Sequence, residues 1–198
     1  YTTLFRSKAA KPFFLYLAPG SAHAPHQAPA GHVARFKGKF DQGWDRQREA
    51  TFRRQLAAGT IPRGTRLTPR PPQLPAWDSL SAEQRIFAAR TMEVAAGMLA
   101  YQDEQLGRIV DEMRRMGVLD STLFAIVLGD NGASAEAGPR GAANERAELN
   151  GVVESDAWLA AESASLGSER HHPNYPAGWA LAMNTPLRWT KQFASFLG

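Results

Sequence analysis

Cysteine is absent from all 198 residues, which excludes disulfides, zinc–thiolate sites and a cysteine nucleophile within the chain. It leaves the compartment open, since oxidising and reducing locations both tolerate cysteine-free chains. Long apolar runs are missing as well: none approaches the ~18 residues that a membrane span requires. The apolar stretch from Phe13 to Ala18 is too short for the core of a secretory leader, and the sequence does not begin with methionine. The expectation is therefore a piece cut from a longer chain. Charge of one overwhelming sign is also lacking. The net charge is +4, but the arginines from Arg35 to Arg90 are mixed with Asp and Glu. No nucleic-acid-binding motif accompanies them, so a solvated basic surface is expected, with neither nucleic acid nor membrane as a partner.

What is present has an ordinary globular composition, 43% hydrophobic and 21% charged, with enough residues to bury a core unaided. Lys11 to Ala18, "KPFFLYLA", is short and aromatic-rich, and the Pro19-Gly20 pair follows it. It reads as a buried strand with a break. Pro25 and Pro29 then bar a helix, so His23 and His26 sit on a loop. Trp44 to Ala58 reads as a surface helix stopped by Gly59. From Ile61 to Pro75 the prolines impose an extended path. Either this is a disordered linker, or it wraps a domain surface through Leu67, Leu74 and Trp77. Ser81 and Gln84 form a capping box for a long helix that runs to Gly117. At about 36 residues it would reach ~54 Å, and Gly97 and Gly107 mark where it would bend or break.

Thr122 to Gly129 is apolar nearly throughout rather than alternating, the pattern of a strand covered on both faces in a parallel sheet. Strand, long helix, strand is the α/β arrangement. Ligands in open α/β sheets bind beyond the carboxyl ends of strands, and Asp130, Asn131 and His23 all stand at such ends. Asp130-Asn131-Gly132 also has the composition of a simple turn. Further on, Ser155 to Leu166 reads as a short helix. His171 and His172 are adjacent, so their side chains diverge and suit structural or substrate-facing roles better than one shared metal ion. Lys191 lies near the end. Asp and Asn oxygens are hard ligands, suited to Ca²⁺ or Mg²⁺, while His and Lys can hold an anion. Spacing alone makes none of these specific.

Taken in order, "KPFFLYLAPGSAHAPHQAP", "GKFDQGW", "LTPRPPQLPAWDSLS", "GDNGASAEAGP" and "NYPAGWALAMNTPLRWTKQ" resemble successive blocks of bacterial arylsulfatases. These are type I, formylglycine-dependent sulfatases of the alkaline-phosphatase-like superfamily. The resemblance runs from Lys11 to Gln192 and implies an α/β fold with a mostly parallel central sheet flanked by helices. It implies that Asp130 and Asn131 ligate an active-site Ca²⁺, with Asn131 also close to the reacting sulfate. It implies further that His23 and Lys191 contact the sulfate and that Lys191 stabilises the leaving oxygen. The substrate would be a small sulfate ester. His26 has no fixed counterpart and is expected to be structural, at the substrate rim.

The departures from the family pattern bear on activity. The nucleophile is a formylglycine made in a Cys/Ser-x-Pro-x-Arg block, and no such block occurs in these residues. The early Asp pair of the Ca²⁺ shell is not found either. Residues 1–198 therefore read as a partial sulfatase catalytic domain, catalytically inactive in isolation. Two other readings stay open: a phosphonate monoester or phosphodiester hydrolase of the same superfamily, and a degenerate anion-binding chain without catalysis.

Overall fold

A computed structural model describes residues 12–127 and 132–191. Six α-helices are found among them: α1 (Ala30–Ala34), α2 (Gly43–Ala58), α3 (Ala82–Arg115), α4 (Glu145–Leu149), α5 (Asp156–Glu162) and α6 (Ala177–Met183). Short 3₁₀ turns at Trp77–Ser79, Leu119–Ser121 and Ser163–Ser165 join them. None of these helices is long and apolar enough to cross a membrane.

The 34-residue α3 is the spine. The Ser81 hydroxyl accepts from the Gln84 amide at 3.2 Å, and the Ser81 amide donates to Gln84 Oε1 at 3.0 Å. This satisfies two amides that the first turn leaves without partners. At the other end Gly117 takes φ +70°. Its amide bonds the Arg114 carbonyl and that of Val118 bonds Met113, a paired closure that uses the last free carbonyls. Gly59 ends α2 in the same way, with φ +69° and Thr60 donating to the Gln55 carbonyl at 3.1 Å.

The expectation that Gly97 or Gly107 breaks this helix is corrected, since α3 runs through both. Gly97 serves a close approach instead. A Cβ there would lie 2.9 Å from the Val33 backbone of α1, so only glycine lets the two helices meet. The surface assignment of α2 also needs amendment. Trp44 is fully buried and, with Trp77 and Trp179, forms an edge-to-face cluster with ring centroids 4.9–5.8 Å apart. Trp179 of α6 donates its indole N–H to the Ala88 carbonyl of α3 at 2.8 Å. One core thus holds α2, α3 and α6 together. A second core, of Val33, Phe87, Val94, Leu159 and Leu166, closes the opposite side of α3.

The proline-rich segment is a wrap, not a linker. Asp45 of α2 accepts from Arg70 Nε at 2.9 Å and from the Trp77 amide at 2.9 Å. Buried Arg48 bonds Thr68 through its carbonyl and its hydroxyl, while Trp44 Nε1 donates to the Pro75 carbonyl at 3.2 Å. Trp77 is the buried anchor; Leu67 and Leu74 are half-buried.

Among the described residues no sheet forms. The pairing there consists of two isolated bridges, Ala142 with Asn174 and Asn144 with His172. The stretches 12–18 and 122–127, expected as buried strands, run without helix or ladder pairing. Tyr16 is 80% exposed and Val127 92%, so the covering of both faces expected for Thr122 to Gly129 is not found. A strand apolar on both faces needs edge partners and covering helices, and no described segment pairs with either stretch. Leu128 and Gly129 lie outside the described residues. The helix expected from Ser155 is present as α5, with Ser155 Oγ accepting from the Trp158 amide at 3.3 Å.

Candidate functional site

Two of the four candidate site residues meet. Lys191 Nζ lies 3.4 Å from His23 Nε2, across 168 positions of sequence. The other two, Asp130 and Asn131, lie outside the described residues.

Each partner is placed by its own scaffold. The His23 loop is turned by a bond from the His23 amide to the Gly20 carbonyl at 3.0 Å. It is stapled to the 167–173 segment by further bonds, among them one from Gln27 Nε2 to the Ser168 carbonyl at 3.3 Å. The His26 amide donates to the Pro173 carbonyl, the Ala28 amide to the Gly167 carbonyl, and Gln27 Nε2 to the His171 carbonyl at 2.9 Å. His23 Nδ1 is 2.8 Å from the Ala24 carbonyl. A carbonyl can only accept, so Nδ1 carries the proton, and in the neutral ring Nε2 presents its lone pair to the Lys191 ammonium.

Lys191 is positioned by Asn184, the buried residue that follows α6. Asn184 Oδ1 accepts from the Ala133 amide at 2.8 Å and its Nδ2 donates to the Trp189 carbonyl at 2.9 Å. The Lys191 amide then donates to the Ala133 carbonyl at 2.9 Å. Gly132, at φ +73°, lets the chain pass close to this amide; a Cβ there would fall 2.8 Å from Asn184 Nδ2. The segment that follows Asn131 is thus bonded to the Lys191 backbone within two residues.

Sequence reasoning passed over three residues here. Glu136 brings Oε1 to 3.7 Å from Lys191 Nζ. Tyr175 stacks on His26, with ring centroids 4.8 Å apart and an interplanar angle of 18°. Asn184 is the third. It and Tyr175 lie within the quoted block "NYPAGWALAMNTPLRW", and Glu136 lies within "GDNGASAEAGP", but nothing in either pattern singled out their contacts.

The His26–Tyr175 pair is uncharged at neutral pH. Burial pushes the Tyr175 phenol up to about 12, against the opposing influence of the Ser134 amide, and Glu136 and Glu145 add to the rise. Burial lowers His26 to about 4, more than the Ala22 and Pro173 carbonyls raise it, and His23 nearby adds to the lowering. His26 is 3% exposed and its Nδ1 makes no hydrogen bond, so it is buried rather than at an open rim. His171 is also structural. Its Nε2 meets Ser165 Oγ at 2.8 Å and Glu162 Oε2 at 3.1 Å.

The arrangement offers an exposed imidazole and a mostly buried ammonium to one small region, with a carboxylate 3.7 Å from the ammonium. That suits an anion of low charge. Among the described residues no group of three His, Asp or Glu converges to hold a metal ion. The Ca²⁺ that the resemblance implies would be held by Asp130 and Asn131, which lie outside the described residues.

The family profile described as Sulfatase matches residues 2–196. An uncharacterized sulfatase of Schizosaccharomyces pombe is 31% identical over 184 residues, 91% of this chain and 32% of its own length. An arylsulfatase of Klebsiella aerogenes is 35% identical over 127 residues, 63% of this chain and 26% of its own. The chain therefore spans a third or less of the length of these relatives.

Proposed function

The chain belongs to the sulfatase family, and on that premise we propose that it forms part of an arylsulfatase site that hydrolyses aryl sulfate esters to a phenol and inorganic sulfate. The observation that carries the proposal is the meeting of His23 and Lys191 at 3.4 Å. Two nitrogen groups from distant parts of the chain share one spot, where an anion can bridge them. Family membership implies an alkaline-phosphatase-like fold. A mostly parallel sheet, to which the stretches 12–18 and 122–127 contribute strands, is part of the proposal.

In this reading Lys191 donates to a sulfate oxygen and offsets negative charge building on the bridging oxygen as the S–O bond breaks. His23 fixes the ester's orientation through Nε2, which donates when the ring is protonated. Asn184 and the Lys191–Ala133 bond hold the ammonium in place, so little reorganisation is needed during the reaction. Asp130 and Asn131 would hold Ca²⁺, whose charge lowers the cost of placing a sulfate there. The nucleophile, a formylglycine, is expected outside these residues, and the isolated chain is expected to be inactive.

The test is an assay of the full-length protein with an aryl sulfate and an aryl phosphonate monoester side by side. Sulfate hydrolysis, lowered at least about a hundredfold in kcat/KM by Lys191→Ala, as for loss of one oxyanion donor, is the expected result. Hydrolysis of the phosphonate alone overturns the choice of substrate. Full sulfatase activity in Lys191→Ala overturns the site.

A further inference from the structure

The carboxylate of Glu136 is out of place in a site for anions. Its Oε1 stands 3.7 Å from Lys191 Nζ, and the two side chains are 28% and 22% exposed. Neither the surroundings nor solvent screens the pair fully. The carboxylate is held there by the turn after Gly132, in which the Glu136 amide donates to Ser134 Oγ at 3.2 Å and the Lys191 amide donates to Ala133. Tyr175, which feels the Glu136 charge, is itself neutral at ordinary pH because burial raises it to about 12. The Glu136 carboxylate therefore offsets part of the charge that Lys191 presents to an anion.

A site balanced in this way treats ligands differently by charge. An anion hydrogen-bonded to the far side of Lys191 Nζ lies about 7 Å from the Glu136 carboxylate, the sum of the observed gap and an ordinary charged hydrogen bond. Repulsion from one carboxylate at that range, in a dielectric between water and protein, weakens binding by about tenfold per unit of ligand charge. A sulfate monoester carries one negative charge. A phosphate monoester carries close to two above its second pKa of about 6, and so meets the repulsion twice.

We propose that Glu136 is a specificity-determining residue, whose carboxylate beside Lys191 selects monoanionic sulfate esters against dianionic phosphate monoesters. The proposal rests on the reading that His23 and Lys191 bind the anionic group of the ester. It requires no contact between Glu136 and substrate, since the discrimination acts through space and through the ammonium.

The experiment uses the full-length protein at pH 8, with aryl sulfate hydrolysis as the readout and two competitive inhibitors, benzenesulfonate as the monoanion and phenyl phosphate as the dianion. In Glu136→Gln both inhibition constants should fall, and that of phenyl phosphate should fall about tenfold further. Glu136→Asp keeps the charge and should hold the ratio of the two within about threefold of wild type. Should Glu136→Gln fold poorly, Glu136→Ser removes the same charge and should shift the ratio in the same direction. Equal changes for both inhibitors would mean that Glu136 merely props Lys191, and would overturn the proposal while leaving the sulfatase reading intact. A wild-type protein that neither hydrolyses aryl sulfate nor binds either inhibitor would remove both together.

Discussion

Replacing His26 with phenylalanine keeps a flat ring against Tyr175 while removing the ability to take a proton. In the wild-type protein the ring is 3% exposed, Nδ1 has no hydrogen-bond partner, and burial lowers its pKa to about 4 from an ordinary 6.5. The unfolded chain takes up a proton near pH 6.5, whereas the folded ring resists until about 4. The folded state therefore loses stability as the pH falls between those values, and loses no more from this residue below them. At pH 5 the two-pKa expression gives a loss of about 2 kcal/mol relative to pH 7. Urea denaturation followed by tryptophan fluorescence at pH 7 and pH 5 measures it, because the Trp44–Trp77–Trp179 cluster reports on the core. The stability drop between the two pH values should be about 2 kcal/mol smaller in His26→Phe than in wild type. Equal drops would show that the ring is not held neutral by burial, and the account of the loop's packing would fall with it.

Further outcomes follow from close contacts. Gly97→Ala should destabilise by about 1–3 kcal/mol because its Cβ meets the Val33 backbone. Gly107→Ala should stabilise by up to about 1 kcal/mol, since nothing lies within 4 Å of its Cβ position. Opposite shifts in thermal melting temperature are the check. Asn184→Ala strips partners from the Ala133 amide and the Trp189 carbonyl. It should cost about 1–3 kcal/mol in urea denaturation and weaken benzenesulfonate inhibition in the full-length protein.

Elements governed by neighbours in sequence were legible without coordinates. The Ser81–Gln84 box, the stops at Gly59 and Gly117 and the Ser155 start were readable because a cap is a bond between residues two to five apart. The proline-rich stretch was readable as extended, though not as a wrap, because the difference lies in Asp45 and Arg48 reaching it from α2. For the same reason Gly97 looked like a flaw in a helix, when its use is the approach of Val33.

The candidate site divides along the same line. His23 and Lys191 were nameable from motif blocks, but their 3.4 Å separation closes a loop of 168 residues that no local pattern encodes. Glu136, Tyr175 and Asn184 gave no warning, since their roles are contacts with residues far along the chain. Residue order alone determined α2, α3 and the start of α5, the loop histidines and the kinship with sulfatases, because backbone propensity and motif order are local properties, whereas the short α1, α4 and α6 gave no such signal. Tertiary structure alone decided which groups share a space, which of them are kept neutral, and what charge the ammonium sees, because burial and Coulomb interactions depend on distance in space rather than on position in the chain.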